Sequence, residues 1–123
     1  DVKPENVLLF PEGKAKLADF GWCAELKRNG RRTFCGTMDY LSPEMLAGQP
    51  HDHRVDAWAA GVLLHEMLAG FVPFTGRNAV EVLERVAAAD YAPAASITPE
   101  AHRLIRRLLR VVPSCRMGLE EVL

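Results

Sequence analysis

The apolar residues of this chain first form two short stretches near its N-terminal side and then follow helical periods. Apolar residues 7–10 and 15–18 flank Pro11 and Gly13, which predicts a β-hairpin with its turn at the Pro and Gly. In the second strand lysines alternate with apolar residues, as expected when one face is solvated. Residues 22–39 have no stable period and are predicted to form a loop.

The strongest helical pattern covers residues 54–68, where apolar side chains occupy nearly every side of the predicted helix. Such a helix is typical of the centre of a domain, because each of its faces needs a neighbour. Gly61 lies in its middle and costs about 1 kcal/mol relative to alanine, unless another part of the chain packs closely there. Gly70 is expected to end the helix.

Two further helices are marked by local signals at their first residues. Asn78 and Glu81 form a capping-box-like pair at the start of the first. Thr98 is a typical cap for the second, which has a proline in its first turn and which Pro113 is expected to stop. A last helical stretch begins near the end of the sequence. The predicted fold class is mainly α, with one small β-hairpin at the N-terminal edge.

Composition narrows the class of protein. The chain has 123 residues, of which 49% are hydrophobic and 25% charged, as is ordinary for one globular domain. Its net charge of −1 argues against nucleic-acid binding. The longest apolar run, residues 57–64, is too short to cross a bilayer. Three cysteines without metal-type spacing indicate reduced thiols, as in the cytoplasm or nucleus.

Four polar residues form a pattern suited to metal-assisted phosphate transfer. Asp1, Lys3 and Asn6 are close in sequence, and Asp19 follows the second predicted strand. Transfer of a phosphate to a hydroxyl needs an acid that accepts the proton, oxygen ligands for Mg²⁺ and a cation near the phosphate. Asp1 would supply the first, Asn6 with Asp19 the second, and Lys3 the third. Any one of them alone would more often be a surface turn.

The segment from residue 19 to residue 44 combines the parts of a phosphate-regulated switch. An acidic residue followed by Phe-Gly opens it, a basic stretch with Thr33 crosses it, and Pro43 begins a helix at its end. A phosphate on Thr33 would add about −1.5 to −2 charges beside Arg31 and Arg32 and would order the loop through charge-assisted hydrogen bonds. The segment is therefore predicted to be a regulatory loop.

Together these motifs resemble the C-terminal lobe of a eukaryotic serine/threonine protein kinase, from the catalytic loop to the start of the last helix. The resemblance covers residues 1–123, and within the family it is most detailed for the Aurora kinases. The motifs that carry it are Ala-Asp-Phe-Gly-Trp at 18–22, Arg-Arg-Thr at 31–33, Cys-Gly-Thr-Met-Asp-Tyr-Leu at 35–41 and Pro-Glu-Met at 43–45. It implies a partial protein kinase domain that uses ATP and Mg²⁺.

The resemblance also implies roles for single residues. Those in the nucleotide and phosphate-transfer site are the catalytic base Asp1, the γ-phosphate contact Lys3, Thr37 bonded to both, the Mg²⁺ ligands Asn6 and Asp19, Leu8 beneath the adenine, and Glu5 as a backbone or ribose-side contact. Glu44 is expected to pair with Arg116 far along the chain, the alternative being two unrelated surface charges. Asp56 is expected to tie down the backbone of the catalytic loop.

Glu5 and Glu66 match positions that, in basophilic kinases, hold a substrate arginine two residues before the acceptor. Arg31 stands two residues before Thr33. The resemblance therefore implies protein substrates with basic residues before Ser/Thr and phosphorylation of Thr33 by another copy. It also implies an activating protein partner, no nucleic acid and no membrane. The implied location is the cytoplasm and nucleus, with a mitotic role at the spindle or centrosome.

Two other residue groups have simpler interpretations. His51 and His53 are spaced like metal ligands, but no further ligands stand nearby, so a solvated loop is favoured. Cys35 lies close to Thr33 and would be a redox handle only with a depressed thiol pKa, which nothing in the sequence establishes. Packing is therefore the favoured role of Cys35.

The sequence begins with Asp rather than Met, and the Gly-rich loop, strand lysine and helix glutamate of the family are not in it. We therefore expect an incomplete domain that is inactive alone and comes from an active parent. The alternatives are a pseudokinase or a truncated product that serves only as a protein-binding module. Asp1, Lys3, Asn6 and Asp19 are all present, which disfavours a pseudokinase. The coding sequence before Asp1 would decide between these possibilities.

Overall fold

The computed structural model of the chain describes residues 1–21 and 38–122. The strands and α-helices in these ranges are β1 (Val7–Phe10), β2 (Lys14–Leu17), α1 (Pro43–Leu46), α2 (Arg54–Ala69), α3 (Ala79–Ala88) and α4 (Pro99–Leu108). Short 3₁₀ turns occupy Pro4–Asn6, Pro11–Gly13, Met38–Tyr40, Pro113–Cys115 and Leu119–Glu121. The predicted mainly α architecture with one hairpin at the N-terminal edge is confirmed.

The hairpin forms where the sequence predicts it. β1 and β2 pair antiparallel, with Val7 opposite Leu17 and Phe10 opposite Lys14. Gly13 lies in the turn with φ 72°, a left-handed conformation that glycine adopts without strain. The face of β2 that carries the lysines is solvated as expected, and its other face is open as well, because every residue of β2 is exposed and Leu17 is 49% exposed. Within the described ranges, no second layer buries these side chains.

Helix α2 is the centre of the core, as its apolar pattern predicts. Trp58 and Val62 are fully buried, and the ring of Trp58 stacks on that of Phe74 with 5.4 Å between centroids. Gly61 faces α4, where an added methyl group would lie 2.9 Å from the Cβ of Leu108. The glycine therefore permits close contact between α2 and α4, which offsets its poor helix propensity.

Local capping starts α3 and α4. The Asn78 side chain accepts a hydrogen bond from the Glu81 N–H at 3.0 Å, and Thr98 accepts one from the Ala101 N–H at 3.3 Å. The Glu81 carboxylate accepts instead from the N–H of Arg77, at 2.9 Å, one residue before the cap. The predicted caps are confirmed, although the pair at Asn78 differs from a reciprocal capping box.

The helix ends agree less closely with the sequence pattern. Gly70 ends α2 in a left-handed conformation with φ 84°, as expected. By contrast, α4 ends at Leu108, before Pro113 could stop it, because the backbone of Leu109 already leaves helical geometry with ψ 51°. The last predicted helix is a 3₁₀ turn over Leu119–Glu121.

Candidate active site

The first six residues fold into a tight turn that brings three polar side chains together. The Lys3 Nζ lies 3.0 Å from the Asp1 carboxylate, and these side chains are only 20% and 8% exposed. The Asn6 side-chain amide donates to the Asp1 carbonyl at 2.7 Å, and the Asn6 backbone N–H donates to the Lys3 carbonyl at 3.0 Å. Buried Asn6 therefore fixes the backbone that carries both charges.

Asp19 is placed beside this turn by the hairpin. The Ala18 N–H donates to the Asn6 carbonyl at 2.8 Å, which joins the end of β2 to the turn before β1. Asp19 then adopts φ 56°, a left-handed conformation that is uncommon outside glycine but enriched in Asp and Asn. Its carboxylate accepts the Gly21 N–H at 3.2 Å. A methyl group on residue 21 would lie 3.1 Å from the same oxygen, so a larger residue would crowd this carboxylate.

Asn6 and Asp19 fit a Mg²⁺ site that other oxygens complete. The Asn6 nitrogen is bound to a carbonyl, so its amide oxygen remains for a ligand, and Asp19 Oδ1 holds Gly21 while leaving Oδ2. Among the described residues, no group of three or more His, Cys, Asp or Glu could hold a metal ion. Because Mg²⁺ is commonly bound through one or two carboxylates, phosphate oxygens and water, this donor set suits a metal carried by a nucleotide.

A second polar group lies around Tyr40. The Tyr40 hydroxyl donates to the carboxylate of Glu66 in α2, and Tyr40 is only 8% exposed. Burial first, then the hydrogen bond to Glu66 and the charges of Glu66, Glu5 and Asp39, raise the pKa of Tyr40 far above its usual range near 10. Tyr40 therefore stays a hydrogen-bond donor within a group of three carboxylates.

Glu44 and Arg116 form a buried ion pair. Two guanidinium nitrogens donate to the two carboxylate oxygens at 2.9 and 3.1 Å. Arg116 also donates to the carbonyls of Arg54 at 2.6 Å and Arg110 at 3.1 Å, and its guanidinium lies 5.3 Å from the ring centre of Trp58. The pair therefore connects α1, the start of α2 and the segment after α4.

The other predicted site residues are less constrained by the described structure. Leu8 is 48% exposed on β1, opposite Lys16. Asp56 is half-buried in the first turn of α2, and no hydrogen bond between its side chain and the catalytic loop occurs within residues 1–21 and 38–122, so its role stays a prediction. Thr33 and Thr37 lie outside the described residues.

Tyr40 is the residue of this site that the sequence pattern does not reveal. Its hydrogen bond joins it to Glu66 over 26 positions, and no local spacing signals such a contact. A tyrosine directly before the buried residues Leu41 and Ser42 indicates packing rather than a polar role.

The histidine pair, one cysteine and the helices lie within the described residues. His51 Nδ1 lies 3.2 Å from the Gln49 carbonyl, as in an ordinary loop. Cys115 is free and exposed, while Cys23 and Cys35 lie outside the described residues. In the part of the chain that the structure describes, no helix has the length and apolar character to span a membrane.

Comparison with known proteins identifies the family. The protein kinase domain family model matches residues 1–123. The chain is 45% identical to an Aurora kinase of Schizosaccharomyces pombe, covering 100% of this chain and 35% of that protein. It is 43% identical to Aurora kinase C of Mus musculus (100% and 45%) and 44% identical to Aurora kinase B of Danio rerio (100% and 38%). The chain thus spans less than half the length of these relatives. With a C-terminal-lobe architecture and this similarity over its whole length, the chain belongs to the protein kinase family and is similar to Aurora kinases.

Proposed function

We propose that the protein containing this chain is an ATP-dependent serine/threonine protein kinase. The observation that carries the proposal is the hydrogen-bonded turn in which Asn6 binds the backbone of Asp1 and Lys3 and receives the Ala18 amide next to Asp19. An acidic group, a cation and oxygens that could bind a metal therefore lie on two short segments, and hydrogen bonds to the backbone hold these segments together. Phosphate transfer depends mainly on such positioning and on charge stabilisation.

Each residue then has a defined task. Asp1 accepts the proton of the substrate hydroxyl, and Lys3 places a positive charge near the transferring phosphate. Asn6 and Asp19 would hold Mg²⁺, which neutralises charge on the phosphates when it is bound. Leu8 would support the adenine ring and Glu5 would contact the backbone or the ribose side; a further proposed contact, from Thr37 to Asp1 and Lys3, rests on the sequence alone.

The test compares the full-length protein with a polypeptide of residues 1–123, using Mg²⁺-ATP and serine- and threonine-containing peptides. We expect transfer by the full-length protein in the range of about 1–100 s⁻¹ that is typical of protein kinases. We expect none by the 123-residue polypeptide, since the sequence contains no Gly-rich loop or strand lysine for the nucleotide. A silent full-length protein would favour a binding module, and an active polypeptide would refute the incomplete-domain proposal.

The carboxylates around Tyr40 support a preference for basic substrates. The charges of Glu5, Asp39 and Glu66 all act on the Tyr40 hydroxyl, so each adds to the negative potential there. A substrate arginine two residues before the acceptor would gain charge-assisted hydrogen bonds there. The hydrogen bond from Tyr40 holds the Glu66 carboxylate in position.

Replacing Glu66 with alanine in the full-length protein is expected to reduce the preference for arginine-containing over arginine-free peptides by about tenfold or more. The reason is that hydrogen bonds to charged groups contribute about 1.5–3 kcal/mol. Tyr40→Phe should reduce the preference less, because the carboxylates remain. Glu84→Ala, on the exposed side of α3, is the matched control, and kcat/KM on the two peptides is the measurement. An unchanged preference in Glu66→Ala would exclude this acidic pocket.

Regulation by Thr33 is proposed from the sequence alone. A phosphate on Thr33, added by another copy of the kinase, would bind the neighbouring arginines and order the loop. Mass spectrometry of the full-length protein after incubation with Mg²⁺-ATP should detect phosphate on Thr33, and Thr33→Ala should lower activity. Full activity of Thr33→Ala would exclude this regulation.

An activating protein partner and a mitotic role at the spindle or centrosome are proposed by analogy with the Aurora kinases, and imaging of the tagged protein in dividing cells would test the location.

A further inference from the structure

A fully buried histidine lies in α2 beneath the loop that follows it. His65 has no exposed surface, and its Nδ1 lies 3.0 Å from the Phe71 carbonyl. The ring meets Phe71 and Tyr91 edge-on, with 5.6 Å between centroids in each case. Because the carbonyl can only accept, Nδ1 carries the proton and donates it to Phe71. The lone pair of a neutral His65 is then on Nε2.

Tyr91 connects His65 to a second histidine. Its ring lies 5.9 Å from that of His102 in α4 and 5.6 Å from that of Phe74. Among the described residues, three buried atoms of this group have no hydrogen-bond partner: His65 Nε2, the Tyr91 hydroxyl and His102 Nδ1. We refer to these residues as the His65–Tyr91–His102 cluster. It joins α2, the segment between α3 and α4, and α4 itself.

The surroundings of the cluster oppose an added positive charge. Burial lowers the pKa of His65; the hydrogen bond to Phe71 works in the other direction, and the charge of His102 lowers it further. The charged groups that act on Tyr91 are Arg106 of α4 and Arg110, two residues after α4 ends, and both are cationic. The groups that face the cluster from α2, the α3–α4 segment and α4 thus include imidazoles, a phenol and guanidiniums, and no carboxylate acts on His65 or Tyr91 within the described ranges.

We propose that the His65–Tyr91–His102 cluster is an acid-sensitive joint, packed while the buried His65 imidazole is neutral and opened by its protonation. The free imidazole titrates near pH 6.5, and the buried one binds its proton only at lower pH. Below about pH 6.5 the opened state therefore binds more protons than the packed state, so acid favours opening. The packing is complete above this pH and is lost as pH falls from there.

The His65–Tyr91–His102 cluster lies next to Glu66, one of the carboxylates around Tyr40, although the proposal does not depend on kinase activity. Glu66 follows His65 directly in α2 and accepts the Tyr40 hydrogen bond. Opening of this turn of α2 would therefore release Glu66 from its place as well. Acid would therefore affect the Glu66 carboxylate as well as the core, because His65 and Glu66 lie in the same turn of α2.

The experiment measures hydrogen exchange of the α2 amides near His65 in the full-length protein between pH 7.5 and 5.0, corrected for the intrinsic exchange rate. We expect the opening equilibrium constant to rise about tenfold per pH unit below pH 6 for one proton taken up. His65→Phe keeps a ring of similar size and cannot titrate, so its exchange should depend much less on pH. The matched control is His53→Phe, because His53 is exposed directly before α2 and its replacement should preserve the wild-type slope.

Equal pH slopes in wild type and His65→Phe would overturn the proposal. If His65→Phe does not fold, NMR titration of the wild-type imidazoles decides instead. The ring signal of His65 should not titrate near pH 6.5 while the amides of α2 remain protected. Titration of His65 near pH 6.5 in the folded protein would refute the acid-sensitive joint.

Discussion

Replacing Arg116 with alanine is expected to lower the free energy of unfolding by about 3–5 kcal/mol. The Arg116 side chain has no exposed surface and the Glu44 side chain is 6% exposed, so the substitution leaves a carboxylate buried without its counter-charge. It also removes the donor to the Arg54 carbonyl. A loss of this size is a large part of the total stability of an ordinary domain.

The matched control is the Arg107–Glu121 pair, whose side chains are 56% and 54% exposed. Exposed pairs contribute little, so Arg107→Ala should change the unfolding free energy by less than about 1 kcal/mol. Urea denaturation of the full-length protein, followed by tryptophan fluorescence, measures both variants; Trp58 lies against Arg116 and reports on this region. If Arg116→Ala costs no more than Arg107→Ala, the buried pair does not hold the lobe together.

Arg116→Lys separates charge from geometry. Lysine keeps the positive charge but replaces the planar fork, which donates to both Glu44 oxygens, with one ammonium group. It also cannot reach the carbonyls of Arg54 and Arg110 in the same way. We therefore expect a loss between those of Arg107→Ala and Arg116→Ala. Stability equal to wild type would mean that charge alone suffices.

The parts of the fold that the sequence predicts correctly are those with a local cause. Asn78 and Thr98 cap helices through hydrogen bonds to residues three positions on, and Gly70 ends α2 through its own backbone conformation. Gly61 in the middle of α2 indicates close packing there, and Leu108 occupies the space that a side chain at position 61 would need. Each of these signals lies within one turn of the feature that it predicts, or marks a position where a side chain has no room.

The features that the sequence leaves open depend on contacts between distant residues. The alternation in β2 predicts a solvated face, but a strand pattern cannot state whether a second layer covers the other face, and Leu17 is half exposed. Likewise, nothing local joins Tyr40 to Glu66 or His65 to His102. The pairing of Glu44 with Arg116 spans 72 positions and was expected only from resemblance to a family. For such contacts the physical reason appears only once the helices are packed.

Replacing Asp19 with asparagine is expected to lower kcat of the full-length protein by more than about 100-fold. Loss of a residue that merely supports a metal ligand already costs about 10–100-fold, and a ligand itself should cost more. Asparagine is nearly isosteric, tolerates the left-handed conformation at φ 56° and keeps an oxygen for the Gly21 N–H. The change therefore removes the charge and preserves the loop geometry.

Steady-state kinetics at increasing Mg²⁺ measure the effect, with Glu12→Gln as the matched control. Glu12 is exposed in the hairpin turn and pairs only with Lys14 among the described residues, so its amide should leave kcat unchanged. The melting temperature of Asp19→Asn should remain within a few degrees of that of wild type, because the substitution removes no buried contact. If Asp19→Asn keeps full activity, the carboxylate beside Asn6 does not bind the metal, and Mg²⁺ must be held elsewhere. If it loses activity together with its fold, the Asp19 carboxylate is needed for the structure of the loop, and the lower kcat does not identify a metal ligand.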